Sequence, residues 1–263
     1  MSDPQYAEVD GARFAWWSDG DGPPVVLVHA GVADARMWEP VLPALTPSHR
    51  VVRFDMRGFG RTRSTKGTFD PAGDIAGLFD ALDVAEAHVV GASFGGLIAL
   101  ELAAAQPQRV ASLVLLAPAL PDIEPSPELL AFAEAEEKAI TVGRIDDAVE
   151  INVKMWAQDS TPEVRELVAV MQRAAFDLQL REGADPEELE PPVSARLSTI
   201  RMPTTIAVGD RDVVDFTQIA ERLERDLPDA TLHHIADAGH LLALDQPDEV
   251  AQLVLSHLER VAT

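Results

Sequence analysis

Cysteine is absent from the 263 residues, so no disulfide, thiolate nucleophile or zinc–thiolate centre can form. A chain that builds no disulfide has no need of an oxidising compartment, and the expected location is the cytoplasm. Basic residues are scarce: 21 Lys and Arg stand against 44 Asp and Glu, for a formal charge of −23. Nucleic acid, held mainly by cations that neutralise phosphates, is therefore not an expected partner. An anionic membrane surface would repel such a chain, so no membrane partner is expected either. No uncharged apolar run reaches spanning length, and Met1-Ser2-Asp3-Pro4-Gln5 lacks a basic segment followed by an apolar one.

What remains is ordinary globular material, 47% hydrophobic and 25% charged, enough to bury a core. The length suits one α/β domain with an insertion. One local excess of positive charge, Arg53, Arg57, Arg61, Arg63 and Lys66, reads as pairing with the surplus carboxylates rather than as anion capture.

Short β-branched runs recur at Val25–Val28, Val51–Phe54, Ala87–Val90, Leu113–Leu116, Ile206–Val208 and Thr231–Ile235. Helical periodicity separates most of them, as in Leu97–Ala105 before Pro107 and Phe216–Leu227 before Pro228. Strand and helix in alternation imply a mostly parallel sheet covered on both faces. The start differs: Tyr6–Val9, Gly11 and Ala12–Trp17 predict an antiparallel hairpin at the sheet edge. The alternation stops after Leu116 and resumes near Thr204. The intervening prolines and helical patterns, with helices expected from Glu128, Asp146 and Pro162, predict a helical cap over residues 119–200 within a core of 1–118 and 201–263.

Gly91-Ala92-Ser93-Phe94-Gly95-Gly96 follows one predicted strand and opens a helix. A serine in a sharp strand-to-helix turn holds its hydroxyl clear of the backbone. Small residues two positions to either side are required where neighbouring chain passes close. With these flanks the segment resembles the nucleophile turn of the α/β-hydrolase fold family, and the resemblance extends over the chain apart from the cap. It implies a mostly parallel eight-stranded sheet flanked by helices, with the cap inserted after the sixth strand.

It also implies a nucleophile, acid and base in that order. A serine hydroxyl is a poor nucleophile at neutral pH and needs a histidine to take its proton, which in turn needs a carboxylate to fix its tautomer. His240, in Ala236-Asp237-Ala238-Gly239-His240 after the last predicted strand, resembles the family's Gly-His segment and is the expected base. His233 and His234 lie within that strand and are set aside. Gly209-Asp210-Arg211-Asp212 offers two carboxylates. The family's usual spacing from the glycine selects Asp212, and leaves Asp210 as a turn residue bonding local amides. Val28-His29-Ala30-Gly31-Val32 resembles the family's His-Gly turn, with Ala30 where glycine is usual. By resemblance, the backbone amides of Phe94 and of Gly31, or of Val32 one residue on, form the oxyanion hole, and His29 braces the loop. Phe54-Asp55-Met56-Arg57-Gly58-Phe59-Gly60 matches a scaffold loop of the family, in which Asp55 and Arg57 are expected to supply charge-assisted hydrogen bonds.

The function so implied is hydrolysis of a small carboxylic ester or lactone through an acyl-enzyme on Ser93, with no cofactor and no metal. The same residues would serve hydrolytic carbon–carbon cleavage of aromatic-degradation acids, for which Arg36 or Arg57 would be the carboxylate partner. A non-catalytic binding protein on the same fold is the reading from a different class. Phe132, Met155, Trp156, Met171 and Phe176 are assigned to the cap's own core rather than to a substrate wall. Nothing in the sequence decides whether copies of the chain associate.

Overall fold

The computed structural model describes residues 3–65, 67–187 and 190–262; Lys66 of the basic cluster lies outside them. Eight strands form one continuous path: β1 (Gln5–Val9), β2 (Ala12–Asp19), β3 (Pro24–Val28), β4 (Arg50–Phe54), β5 (Ala87–Ala92), β6 (Val110–Leu116), β7 (Thr204–Gly209) and β8 (Ala230–Ile235). Their spatial order is β1-β2-β4-β3-β5-β6-β7-β8. Pairing is parallel from β4 to β8 and antiparallel for β1 with β2 and β2 with β4. The edge hairpin and the parallel sheet are thus as predicted. One element was not: Arg63–Ser64 adds a two-residue ninth strand against β2.

The central strands are apolar almost throughout because helices cover both faces. Val25, Leu27, Val28, Val89, Leu113 and Ile206 have no more than traces of exposure. The helices are amphipathic for the same reason. In α6 (Val214–Asp226) Phe216, Ile219, Ala220 and Leu223 fall at i, i+3, i+4 and i+7 and are all buried. The other long helices are α1 (Pro71–Ala81), α2 (Phe94–Ala105), α3 (Pro127–Thr141), α4 (Ile145–Trp156), α5 (Pro162–Glu182) and α7 (Pro247–Val261). Helix α1 has no counterpart in the sequence reading; Asp70 caps it by accepting from the Ala72 amide at 2.9 Å, and Pro71 opens it.

Helices α3, α4 and α5 lie between β6 and β7, within one residue of the expected starts. Ser126 and Thr161 begin α3 and α5 by accepting from the Leu129 and Val164 amides. The segment also touches the sheet side through a small parallel pairing of Gly67–Phe69 with Ala184–Pro186, which periodicity did not reveal.

The scaffold loop after β4 is held by charge-assisted hydrogen bonds of Asp55 and Arg57, as expected, with each finding its own partners. Asp55 and Arg57 do not serve one another. Asp55 accepts from the Ala35 amide at 2.9 Å and the Arg61 amide at 2.6 Å. Arg57 instead forks onto Asp74 of α1, at 2.9 and 2.5 Å, and donates to the Asp10 carbonyl. Burial and the nearby Asp34 push the Asp55 carboxyl up to about 7, against the pull of those two amides. The structural reading of the basic cluster fits these contacts: Arg53 meets Asp19, Arg57 meets Asp74 and Arg63 meets Glu182. Among the described residues no helix is long and apolar enough to cross a membrane.

Candidate functional site

The turn at Ser93 departs from both strand and helix geometry, with φ 51° and ψ −117°. Such a conformation costs of order 1–3 kcal/mol for a non-glycine residue and persists only where the surroundings impose it. Here they do. Strand β5 delivers the chain, helix α2 takes it away, and Gly91 and Gly95 let the two pass. A Cβ on Gly91 would lie 2.5 Å from the Gly95 carbonyl oxygen, and one on Gly95 would lie 2.4 Å from that of Val28. The Ser93 amide and carbonyl are anchored by the Leu116 carbonyl at 2.9 Å and the Ala119 amide at 3.0 Å.

At this turn the structure brings together residues 93, 212 and 240. His240 Nε2 is 2.8 Å from Ser93 Oγ, and His240 Nδ1 is 3.0 and 3.2 Å from the two Asp212 oxygens. A carboxylate can only accept, so Nδ1 carries the hydrogen and Nε2 presents its lone pair to the serine hydroxyl. Asp212 is aimed by the Val213 amide, which donates to Oδ1 at 2.7 Å, and its side chain is wholly buried. Asp210 lies elsewhere, exposed, with Oδ1 3.5 Å from His234 Nδ1. Its carboxylate therefore stands beside a surface imidazole rather than bonding local amides. His233 and His234 are both exposed on β8.

The turn after β3 lies beside the nucleophile turn. The Ala33 amide closes onto the Ala30 carbonyl at 3.0 Å, which places Gly31 and Val32 at the corner. A Cβ on Gly31 would meet the Phe94 Cβ at 3.4 Å. Phe94 opens α2, where amides have no partner within the helix. Ala30 has an ordinary negative φ and is buried, so the departure from glycine there carries no strain. His29 accepts from the Met56 amide at Nε2, 2.9 Å, and donates from Nδ1 to the Ala30 carbonyl, 2.8 Å. Both ring nitrogens are used, and burial lowers its pKa to about 4, so it remains a neutral brace.

Two aromatic residues against the histidine were not separated from the core by sequence. Phe216 of α6 and Trp156 of α4 stand at ring-centroid distances of 4.2 and 4.6 Å from His240, and Phe132 meets Trp156 edge-on at 5.0 Å. The expectation of a self-contained core holds for Phe176, which packs with Ala139 and Ala148. It fails for Trp156 and Met155, which line a cavity of ≈ 470 Å³ together with Ser160, Arg211, Asp212 and His240. The difference is one of helix face, which spacing alone does not assign.

A further carboxylate supports the loop that carries His240. Asp245 accepts from the Gly239 amide at 3.0 Å and from the Ser160 hydroxyl at 2.6 Å, so it ties the loop bearing His240 to the segment that follows α4. It touches no reacting atom and is a positioning residue. Asp245→Ala is expected to lower the melting point by a few degrees and kcat/KM about tenfold, since a half-buried amide and hydroxyl lose their acceptor. Asp245→Asn, which keeps an acceptor oxygen, should recover most of both; equal losses in the two variants would show that the hydrogen bonds are not what matters.

Arg36 and Arg57, the two candidate partners for a substrate carboxylate, are already engaged. Arg36 grips Asp34 through Nε and Nη2 at 2.9 and 2.7 Å, and Arg57 grips Asp74. Among the described residues no group of three His, Asp or Glu side chains could hold a metal ion.

Comparison with known proteins places this geometry in context. A carboxylesterase of Bacillus subtilis, YbfK, is 28% identical over 247 residues, spanning 90% of this chain and 81% of its own. The 3-oxoadipate enol-lactonase 1 of Acinetobacter baylyi is 27% identical over 238 residues, or 89% and 87% of the two chains. Among solved structures, a thermophilic esterase from Thermogutta terrifontis superposes with a TM-score of 0.80 at 26% identity, covering 100% of this chain and 99% of that one. The model of the alpha/beta hydrolase family matches residues 25–253, a stretch that holds Gly31, Ser93, Asp212 and His240, and to that family the chain belongs.

Proposed function

We propose that the protein hydrolyses small carboxylic esters or lactones through an acyl-enzyme on Ser93. The observation that carries this reading is the unbroken hydrogen-bonded series from the Ser93 hydroxyl through both nitrogens of His240 to a buried carboxylate. In the first half-reaction Ser93 Oγ forms a bond to the substrate carbonyl carbon while its proton passes to His240 Nε2. The carbonyl π electrons move onto oxygen, where the amides of Phe94 and Gly31 receive the charge; one such donor is worth about 3 kcal/mol in a tetrahedral intermediate. Collapse expels the alkoxide, which takes the proton from His240 and departs as the alcohol. Water repeats the sequence on the acyl-serine, giving the carboxylic acid and free Ser93. Asp212 holds the useful tautomer and stabilises the imidazolium without itself taking the proton.

The helices α3, α4 and α5 form the cap of this site in the proposed reading, with Trp156 and Phe216 as the apolar walls of the base. Relatives that act on an ester and on an enol-lactone support both substrate types. Engagement of Arg36 and Arg57 by aspartates weighs against a carboxylate-bearing substrate of either kind, a carbon–carbon cleavage acid or an acidic enol-lactone, and favours a simple ester or lactone. The test is covalent. A fluorophosphonate probe should label the native protein at one peptide, that containing Ser93, and Ser93→Ala should not label; labelling elsewhere, or none, would overturn the mechanism.

A further inference from the structure

Helix α2 runs away from Ser93 along one wall of a second, larger cleft of ≈ 1120 Å³ that is open to solvent. Phe94 and Leu97 form its inner floor, Pro71, Pro121, Pro186 and Pro192 add apolar surface, and Glu101, Asp122, Glu187 and Glu190 supply the charge. None of these lining residues is basic. The cleft adjoins the nucleophile turn on two sides. Phe94 is next to Ser93 in sequence, and Pro121 follows two residues after Ala119, whose amide bonds the Ser93 carbonyl. With a rise of 1.5 Å per residue, Glu101 lies about 10 Å along the helix from Phe94.

Glu101 is the anomaly. It is 9% exposed, yet it finds no hydrogen-bond or ion-pair partner among the described residues. Its carboxylate opens onto the cleft and the solvent in it, where no group among the described residues pairs with it. Burial and the neighbouring Asp70 push its pKa up to about 7, with Arg196 pulling the other way from beyond ion-pair distance. The other carboxylates differ. Asp122 already accepts from the Ser194 hydroxyl at 2.6 Å, while Glu187 and Glu190 sit exposed on the rim.

Resting on the hydrolase reading above, we propose that this cleft is a substrate subsite for an organic ammonium group, with Glu101 as its counter-ion and Phe94, Leu97 and the prolines as the seat of its alkyl substituents. The favoured substrates are then esters whose acyl or alcohol portion carries a cation some 10 Å from the scissile carbonyl. The chemistry reverses the expectation of a carboxylate-binding arginine: the charged residues lining this cleft are acidic, and Arg196, the cation nearest Glu101, does not line it.

Two measurements on the intact protein test the subsite separately from the reaction. In the first, kcat/KM is compared for 6-(trimethylammonio)hexyl butyrate, whose cation lies about 10 Å from the carbonyl when extended, and its uncharged isostere 7,7-dimethyloctyl butyrate. The native protein should prefer the cation roughly tenfold or more, and Glu101→Gln should bring that ratio close to one. In the second, binding of benzyltrimethylammonium is titrated calorimetrically, and its Kd should weaken about tenfold in Glu101→Gln. The double change Glu187→Gln with Glu190→Gln should alter both quantities only about two- to threefold, since rim charges are screened by solvent. A native ratio of one or below, or a Kd and ratio that survive loss of Glu101, would overturn the proposal. Should Glu101→Gln not fold, the native ratio decides by itself. Failure of the hydrolase reading looks different, because then neither ester is turned over and Ser93 does not label, while the titration still reports on the subsite.

Discussion

Asp212→Asn should lower kcat on a short-chain nitrophenyl ester by about 10⁴-fold, with the melting point close to that of the native protein. The reason lies in tautomer control. The imidazole Nδ1 faces both oxygens of Asp212, at 3.0 and 3.2 Å. An asparagine that turns its amide toward the ring donates to Nδ1, which moves the ring hydrogen to Nε2 and leaves Ser93 without a proton acceptor. The fold should tolerate the change, because the amide oxygen can still accept from Val213. The companion variant Asp210→Asn supplies the contrast. Its carboxylate is exposed beside His234, and its removal should leave kcat within about twofold, in line with other surface substitutions. The same assay on both variants decides between them. A loss of less than tenfold for Asp212→Asn, or a comparable loss for Asp210→Asn, would sink the assignment of the acid.

Gly95→Ala should be strongly damaging for so small a substitution, costing about 3 kcal/mol and lowering the melting point by roughly 10 °C. A methyl group there would meet the carbonyl oxygens of Val28 and His29 at 2.4 and 2.5 Å. Neither can move independently. Val28 is the last residue of a central strand, and His29 is pinned at both ring nitrogens. Helix α2 would have to back away from the sheet, carrying Phe94 and Ser93 with it, so activity should fall beyond the loss of folded protein. Thermal unfolding followed by circular dichroism gives the first quantity, and turnover at a temperature where the variant is fully folded gives the second. A variant that melts with the native protein would mean that strand and helix do not approach as closely as the geometry states.

The parts of the site that sequence made legible are those written in contiguous residues. Strand, turn and helix around Ser93 are punctuated by glycine, and the requirement for small neighbours is local, so the close contacts of Gly91 and Gly95 follow from the segment itself. Asp212 was separable from Asp210 only through resemblance, because two acids in one turn have equal claims by composition. What stayed hidden depends on which chain folds against which. Arg57 is expected to meet a carboxylate, but which one depends on the fold, and its partner is Asp74 on α1, a helix the sequence pattern does not announce. Trp156 and Phe176 looked alike as aromatic residues in helical stretches, and only the packing of α4 and α5 turns one toward His240 and the other inward. Glu101 reads in sequence as any solvated helix carboxylate, and only the fold sets residues from after β6 and before β7 beside it along one cleft.

The contact between Trp156 and His240 has a practical meaning for anyone redesigning specificity. A segment that merely roofed the pocket could be exchanged between relatives as a module, leaving the chemistry untouched. Here α4 sets Trp156 against His240, and through Ser160 and Asp245 the segment after it also holds the backbone that carries His240. On the proposed mechanism, transplanting these helices would therefore retune proton transfer along with the choice of substrate, and graft boundaries drawn at the sheet would need to carry the indole, the hydroxyl and their counterparts together.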